Sequence, residues 1–239
     1  MKSSIPNAFT LGNLGCGLLG IMAVMEANPL LAFVLMLVSG ILDFFDGMIA
    51  RWLKVEGELG LQLDSLADLV SFGVLPGLIW NHYMNLNGYC STTGFCINGY
   101  VWMAIPLAGA YRLARFNISK EKSPNFTGVP IPITGITLAS WAWINSNYSF
   151  GFIDISKISN QFYVWLYMPL VASYLMVSEM PLLSLKFNGK DGLNPFRLGL
   201  ILLGIASVLV FGPSGVAVFY FLYVGLSYYS INLKKSKHE

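Results

Sequence analysis

Charge is scarce in this sequence. Of 239 residues, 14 are Lys or Arg and 12 are Asp or Glu, 11% in all, against 55% apolar residues. Soluble domains carry about 25% charged residues, so an ordinary water-facing surface is excluded and the membrane class is expected. A net charge of +2 leaves no basic footprint for nucleic acid. Histidine is nearly absent, and His82 and His238 lack the partners a metal site would need. The three cysteines are Cys16, Cys90 and Cys96, and none has Cys or His companions at zinc-ligand spacing. Cys16 reads as a packed small residue in an apolar run. Cys90 and Cys96 share one loop and form a disulfide if that loop faces an oxidising compartment. Internal repeats and soluble domains are missing as well. No cleavable leader is expected, because the apolar run after MKSSIPNAFTLGNLGCG is long enough to stay in place as a span.

Long apolar stretches are what the chain does have. A helix needs about 20 apolar residues to cross the hydrocarbon core. Eight segments qualify as candidate spans, roughly 6–25, 30–52, 60–82, 99–117, 129–146, 161–182, 196–211 and 214–231. The last two meet at Gly212-Pro213-Ser214, a turn signal. Pro76, Pro106 and Pro169 fall inside spans and are expected to kink them. Trp80, Trp102 and Tyr100 lie near span ends and read as interfacial belt residues. The expected fold is therefore an all-α integral membrane bundle of about eight helices, a single polytopic domain over residues 1–239.

Orientation follows from the basic residues. With both termini cytoplasmic, one side holds Lys2, Arg51, Lys54, Arg112, Arg115, Lys120, Lys122, Lys186, Lys190, Arg197, Lys234, Lys235 and Lys237, and the other holds Lys157. The positive-inside rule favours that arrangement. The loop carrying Cys90 and Cys96 then lies outside, and the basic tail around His238 meets anionic headgroups.

Four aspartates interrupt the greasy pattern in residues 42–73, LDFFDGMIARWLKVEGELGLQLDSLADLVSFG. Asp43 and Asp46 are three apart on the second span, and Asp64 and Asp68 are four apart on the third. Either spacing puts a pair on one helical face. A short turn through Gly57 and Gly60 makes the two helices antiparallel neighbours, so the four carboxylates converge. Such a cluster is unfavourable in low dielectric unless a cation joins it. Hard divalent cations take oxygen ligands and bridge carboxylates to substrate phosphates. Gly47 and Ala50 leave space beside Asp43 and Asp46, Gly60 does the same before Asp64, and Arg51 is placed to hold a phosphate by paired hydrogen bonds. Solvated caps and helix-packing glycines are the plainer explanation of these residue types. Four acids on adjacent spans with an arginine between them favour a site.

Asp43-Phe-Phe-Asp46-Gly47-Met-Ile-Ala50-Arg51, then Gly60, Asp64 and Asp68 at their spacing, resembles the complete motif of the CDP-alcohol phosphatidyltransferases, DxxDGxxAR, eight residues, GxxxDxxxD. The resemblance implies two divalent cations, Mg²⁺ or Mn²⁺, among Asp43, Asp46, Asp64 and Asp68, with Asp68 as the general base. It implies that Gly47, Arg51 and Gly60 hold CDP-diacylglycerol. It further implies a homodimer in a prokaryotic plasma membrane, and the distribution of Lys and Arg puts the four aspartates near the cytoplasmic ends of their spans.

The motif does not name the acceptor alcohol. Arg112 and Arg115, within YRLARFN at 111–117, share a helical face. They read either as positive-inside anchors or as an anion pocket for an acceptor carboxylate. That stretch, TGVPIP at 127–132 and IPNAFTL at 5–11 resemble the integral-membrane phosphatidylserine synthases, and the resemblance, which runs from about residue 5 to 135, implies L-serine. Asn117 is a weaker candidate, and Asn7 and Thr10 are sufficiently explained as helix-start residues. Three rivals stand beside this reading. One is the same chemistry with glycerol 3-phosphate, inositol or inositol phosphate. Another is an intramembrane prenyltransferase, and the third is a cation transporter.

Overall fold

The computed structural model describes residues 4–55, 57–88, 97–118, 126–143, 162–182, 195–211 and 215–235. Among them stand eight helices: α1 Ser4–Met25, α2 Pro29–Leu53, α3 Glu58–Leu86, α4 Ala104–Ile118, α5 Ile131–Trp143, α6 Phe162–Val177, α7 Pro195–Phe211 and α8 Gly215–Lys235. Each falls on one of the eight expected spans. Three of them, α1, α2 and α3, are long and apolar enough to cross a membrane. The 22 residues of α1 reach about 33 Å, against a hydrocarbon core of about 30 Å. Shorter apolar helices occupy Ile131–Trp141, Phe162–Val177 and Gly215–Ser227. A 3₁₀ segment, Ile97–Met103, leads into α4. The expected turn at 212–214, the Cys90–Cys96 pairing and His238 lie outside the described residues.

Local chemistry sets the helix ends. Pro29 occupies the first turn of α2, and the Asn28 side chain accepts the Leu31 N–H at 3.1 Å, an ordinary N-cap. At its other end, Lys54 turns left-handed (φ 53°) and its N–H bonds to Arg51 O at 3.2 Å. Gly57 then caps α3. A two-residue antiparallel pairing, β1 Phe126–Thr127 with β2 Pro181–Leu182, closes the chain before α5 against the chain after α6. Gly128 needs φ +71° there, and a Cβ would come within 2.9 Å of Ser178 O, so only glycine fits.

The three prolines behave differently from one another. Pro76 follows a π-helical turn over Leu69–Val74, where Leu75 N–H reaches back five residues to Val70 O. Proline has no N–H for the carbonyl four residues back and its ring crowds that carbonyl, and a widened turn relieves both problems. A Cβ on Gly135 would lie 3.0 Å from Phe72 Cα, so α5 can approach the bulge. Pro106 is the third residue of α4, in the first turn, where its missing N–H costs nothing; the kink expected there has no cause. Pro169 lies inside α6.

The core is built around the second half of α3. Phe72, Leu75, Ile79 and Trp80 are buried with Met36, Ile105, Ile131, Leu138, Trp165 and Met176. Trp80 corrects the belt-residue expectation. It is fully buried, its ring lies 4.5 Å from that of Trp165, and its Nε1 donates to Trp165 O at 3.1 Å. Trp102 packs over Gly77, whereas Tyr100 is exposed as expected. Leu18, Leu19, Met22, Trp52, Leu107 and Leu170 point outward, while Thr10, Asn13, Ser39, Asp46, Asp68 and Ser71 are buried. Large apolar groups outside and small polar groups inside is the pattern that lipid as solvent produces.

Candidate active site

The site lies where α1, α2 and α3 meet. α1 packs along α2 and also against the first half of α3, so it supports both acid-bearing helices from one side. Helical spacing puts Asp43 on α2 beside Asp64 and Asp68 on α3. One carboxylate oxygen from each lies within 4.8 Å of the other two. Oxygens on opposite sides of a bound Mg²⁺ are about 4.2 Å apart, and somewhat more around larger ions. Asp64 Oδ1 is buried and has no hydrogen-bond partner among the described residues. Three converging carboxylates, one with an orphaned oxygen, fit a hard divalent cation.

Asp46 lies outside that group of three. It is buried, and its Oδ2 accepts the Thr10 hydroxyl at 2.7 Å. The expectation that all four carboxylates meet at one point therefore holds for three. Asp46, three residues further along α2, is turned against α1 instead.

Gly47 and Arg51 are coupled. A Cβ on Gly47 would lie 3.3 Å from Arg51 Nη1 and 3.8 Å from Nη2, so the guanidinium folds back over the glycine towards the acids. Gly60 leaves similar room on α3, where the nearest atom to an added Cβ is Asn7 Oδ1 at 3.5 Å.

The two arginines of α4 separate. Arg112 is half-buried and feels the charge of Asp68, and its Nε is buried without a hydrogen-bond partner among the described residues. Arg115, in the last turn, pairs with Glu179 just beyond α6, and both are exposed. Shared helical face did not bring the two to one pocket, because Arg115 reaches outwards to Glu179. Asn117 gains a role: its Nδ2 donates to Ser65 Oγ at 3.0 Å and to Gln62 Oε1 at 3.3 Å. It ties the end of α4 to α3 next to Asp64.

Several site residues escaped sequence reasoning. Helix α1 begins at Ser4, so Thr10 is no start signal. Asn13 is fully buried and its Nδ2 faces Asp68 Oδ1 at 3.4 Å. Ser39 on α2 and Ser71 on α3 both donate to Asn13 O, at 3.1 and 3.2 Å. The available signal was the pair Thr10 and Asn13, three apart inside an apolar span.

This arrangement has counterparts among known proteins. The family model described as CDP-alcohol phosphatidyltransferase matches residues 3–184. A Helicobacter pylori protein named CDP-diacylglycerol–serine O-phosphatidyltransferase is 32% identical over 225 residues, 92% of this chain and 87% of that one. A Bacillus subtilis protein of the same name is 39% identical over 134 residues, 56% of this chain and 72% of its own. An archaetidylserine synthase from Methanothermobacter thermautotrophicus is 31% identical over 195 residues, 80% of this chain and 72% of its own. A match spanning three-quarters of the sequence, with three of its four motif aspartates gathered at one point of a helical membrane fold, places this chain in the CDP-alcohol phosphatidyltransferase family.

Proposed function

We propose that this chain transfers the phosphatidyl group of CDP-diacylglycerol to the hydroxyl of L-serine, giving phosphatidylserine and CMP. The observation that carries the reading is the meeting of Asp43, Asp64 and Asp68 near Arg112, whose Nε has no hydrogen-bond partner among the described residues. The names of the relatives support serine as the acceptor.

Each part of the reaction has a residue to serve it. Arg51, folded over Gly47, clamps the diphosphate. Arg112 takes the serine carboxylate, leaving the hydroxyl beside Asp68. Asp68 accepts the hydroxyl proton as that oxygen attacks the phosphorus bearing diacylglycerol. The bond from phosphorus to CMP breaks, and CMP leaves with the electron pair. Two divalent cations, Mg²⁺ or Mn²⁺, held by Asp43, Asp46, Asp64 and Asp68, would neutralise the diphosphate and stabilise the leaving group. Asp46, whose Oδ2 accepts the Thr10 hydroxyl, would have its other oxygen left to offer.

We place the protein in a prokaryotic plasma membrane as a single polytopic domain, a homodimer with the site and both termini cytoplasmic. The distribution of Lys and Arg and the family support this placement. Feeding labelled serine, glycerol 3-phosphate and inositol separately to purified enzyme with CDP-diacylglycerol tests the acceptor. Serine-dependent CMP release that EDTA abolishes is the expected result. Turnover with another alcohol alone, or pyrophosphate release, would refute it.

A further inference from the structure

Asn13 touches the proposed base yet belongs to neither acidic helix. It lies on α1, fully buried, with Nδ2 directed at Asp68 Oδ1 across 3.4 Å. An ionised carboxylate only accepts hydrogen bonds, so the amide nitrogen must be the atom that faces it. The other end of the amide is held as well, because Ser39 Oγ donates to Asn13 Oδ1. Both ends of the side chain are thereby engaged and its direction is set.

The backbone beneath it is fixed in the same way. Asn13 O accepts from Ser71, three residues after Asp68, and Ser39, four residues before Asp43, divides its single hydroxyl proton between that carbonyl and Asn13 Oδ1. Gly17, one turn further on, lets α1 come so close that a Cβ there would lie 3.2 Å from Ser71 Cα. One asparagine is thus keyed to both helices that carry the acids.

From this geometry we infer that Asn13 is a positioning residue for Asp68, engaging Oδ1 so that Oδ2 is the oxygen presented to the acceptor hydroxyl. The inference rests on Asp68 being the base. A buried asparagine in a membrane helix can also serve only to hold helices together. The two roles separate in their consequences. Loss of a packing contact weakens folding and substrate binding together. Loss of a positioning contact slows turnover while the donor substrate still binds.

The test uses the full-length purified enzyme and three variants. Asn13→Leu keeps the branched outline, in a somewhat larger side chain, and removes the donor. Ser39→Ala removes the group that fixes the amide, and Asp68→Asn is the reference. For each, kcat and the serine KM are measured with the Kd for CDP-diacylglycerol and the Tm. Outer partners of catalytic ligands are typically worth about 10- to 100-fold. Asn13→Leu should lower kcat by about that factor, and Ser39→Ala by about 3- to 10-fold, with Kd and Tm close to the parent's. A kcat within about two-fold of the parent in both variants, or a fall in kcat matched by lost CDP-diacylglycerol binding or Tm, overturns the inference. If Asn13→Leu does not fold, Ser39→Ala decides by the same criteria. Normal turnover in Asp68→Asn would instead remove the base assignment. An inactive Asp68→Asn with unaffected Asn13→Leu and Ser39→Ala would remove the positioning role alone.

Discussion

Thr10 gives its hydroxyl proton to Asp46 Oδ2 across 2.7 Å, from a helix that carries no acid of its own. The bond occupies one carboxylate oxygen and orients the other. Partners of this kind change metal affinity by about 10- to 100-fold when removed. Thr10→Val should raise the Mn²⁺ or Mg²⁺ concentration for half-maximal transfer about ten-fold, and Thr10→Ser should restore it. A metal titration of serine-dependent CMP release checks both.

Asp68 is assigned the proton. Asp68→Asn keeps the shape and the Asn13 neighbour but has no carboxylate to accept it. Turnover should be lost, whereas CDP-diacylglycerol binding, measured in the absence of serine, should change by less than about ten-fold.

The packing of Arg51 over Gly47 predicts sensitivity to bulk. A Cβ would already stand 3.3 Å from Nη1, and the branched side chain of Gly47→Val would displace the guanidinium. The KM for CDP-diacylglycerol should rise about ten-fold or more. Arg51→Lys, which loses the paired hydrogen bonds, should act in the same direction. Steady-state kinetics over a CDP-diacylglycerol series at saturating serine gives the answer.

The two arginines of α4 should differ. Arg112→Gln removes the half-buried guanidinium that feels the charge of Asp68 and should raise the serine KM by about 10- to 100-fold, the scale of a charge-assisted hydrogen bond. Arg115→Gln breaks an exposed pair with Glu179, and such pairs contribute about 0–1 kcal/mol. Its serine KM should stay within about five-fold of the parent's, as should that of Glu179→Gln. Equal effects from Arg112→Gln and Arg115→Gln would return both to one pocket.

The acids and the glycines were legible in the sequence because their spacing is helical and their chemistry narrow. Helical periodicity puts Asp64 and Asp68 on one face whatever surrounds them. The eight apolar runs were legible for a similar reason, since a bilayer fixes the length a span must have. Thr10, Asn13, Ser39 and Ser71 were harder to see. Small polar residues in a membrane helix look alike whether they cap, pack or touch a carboxylate, and only the approach of α1 to both acidic helices separates these roles. Trp80 misled for the opposite reason. Its place near a span end suggested an interface, yet the π-helical turn and the packing of neighbouring helices bury that end of α3.

That widened turn has one more consequence. A widened turn takes up one extra residue, so each residue beyond it faces about 100° away from where an unbroken α-helix would put it. α3 is therefore two registers joined out of phase: Asp64 and Asp68 take their bearing from the first, and Ile79 and Trp80 take theirs from the second. Trimming a single residue between Leu69 and Val74 would let the turn close to ordinary α-helix with both halves keeping their bearings. The acids would still face Asp43 while the core kept its grip.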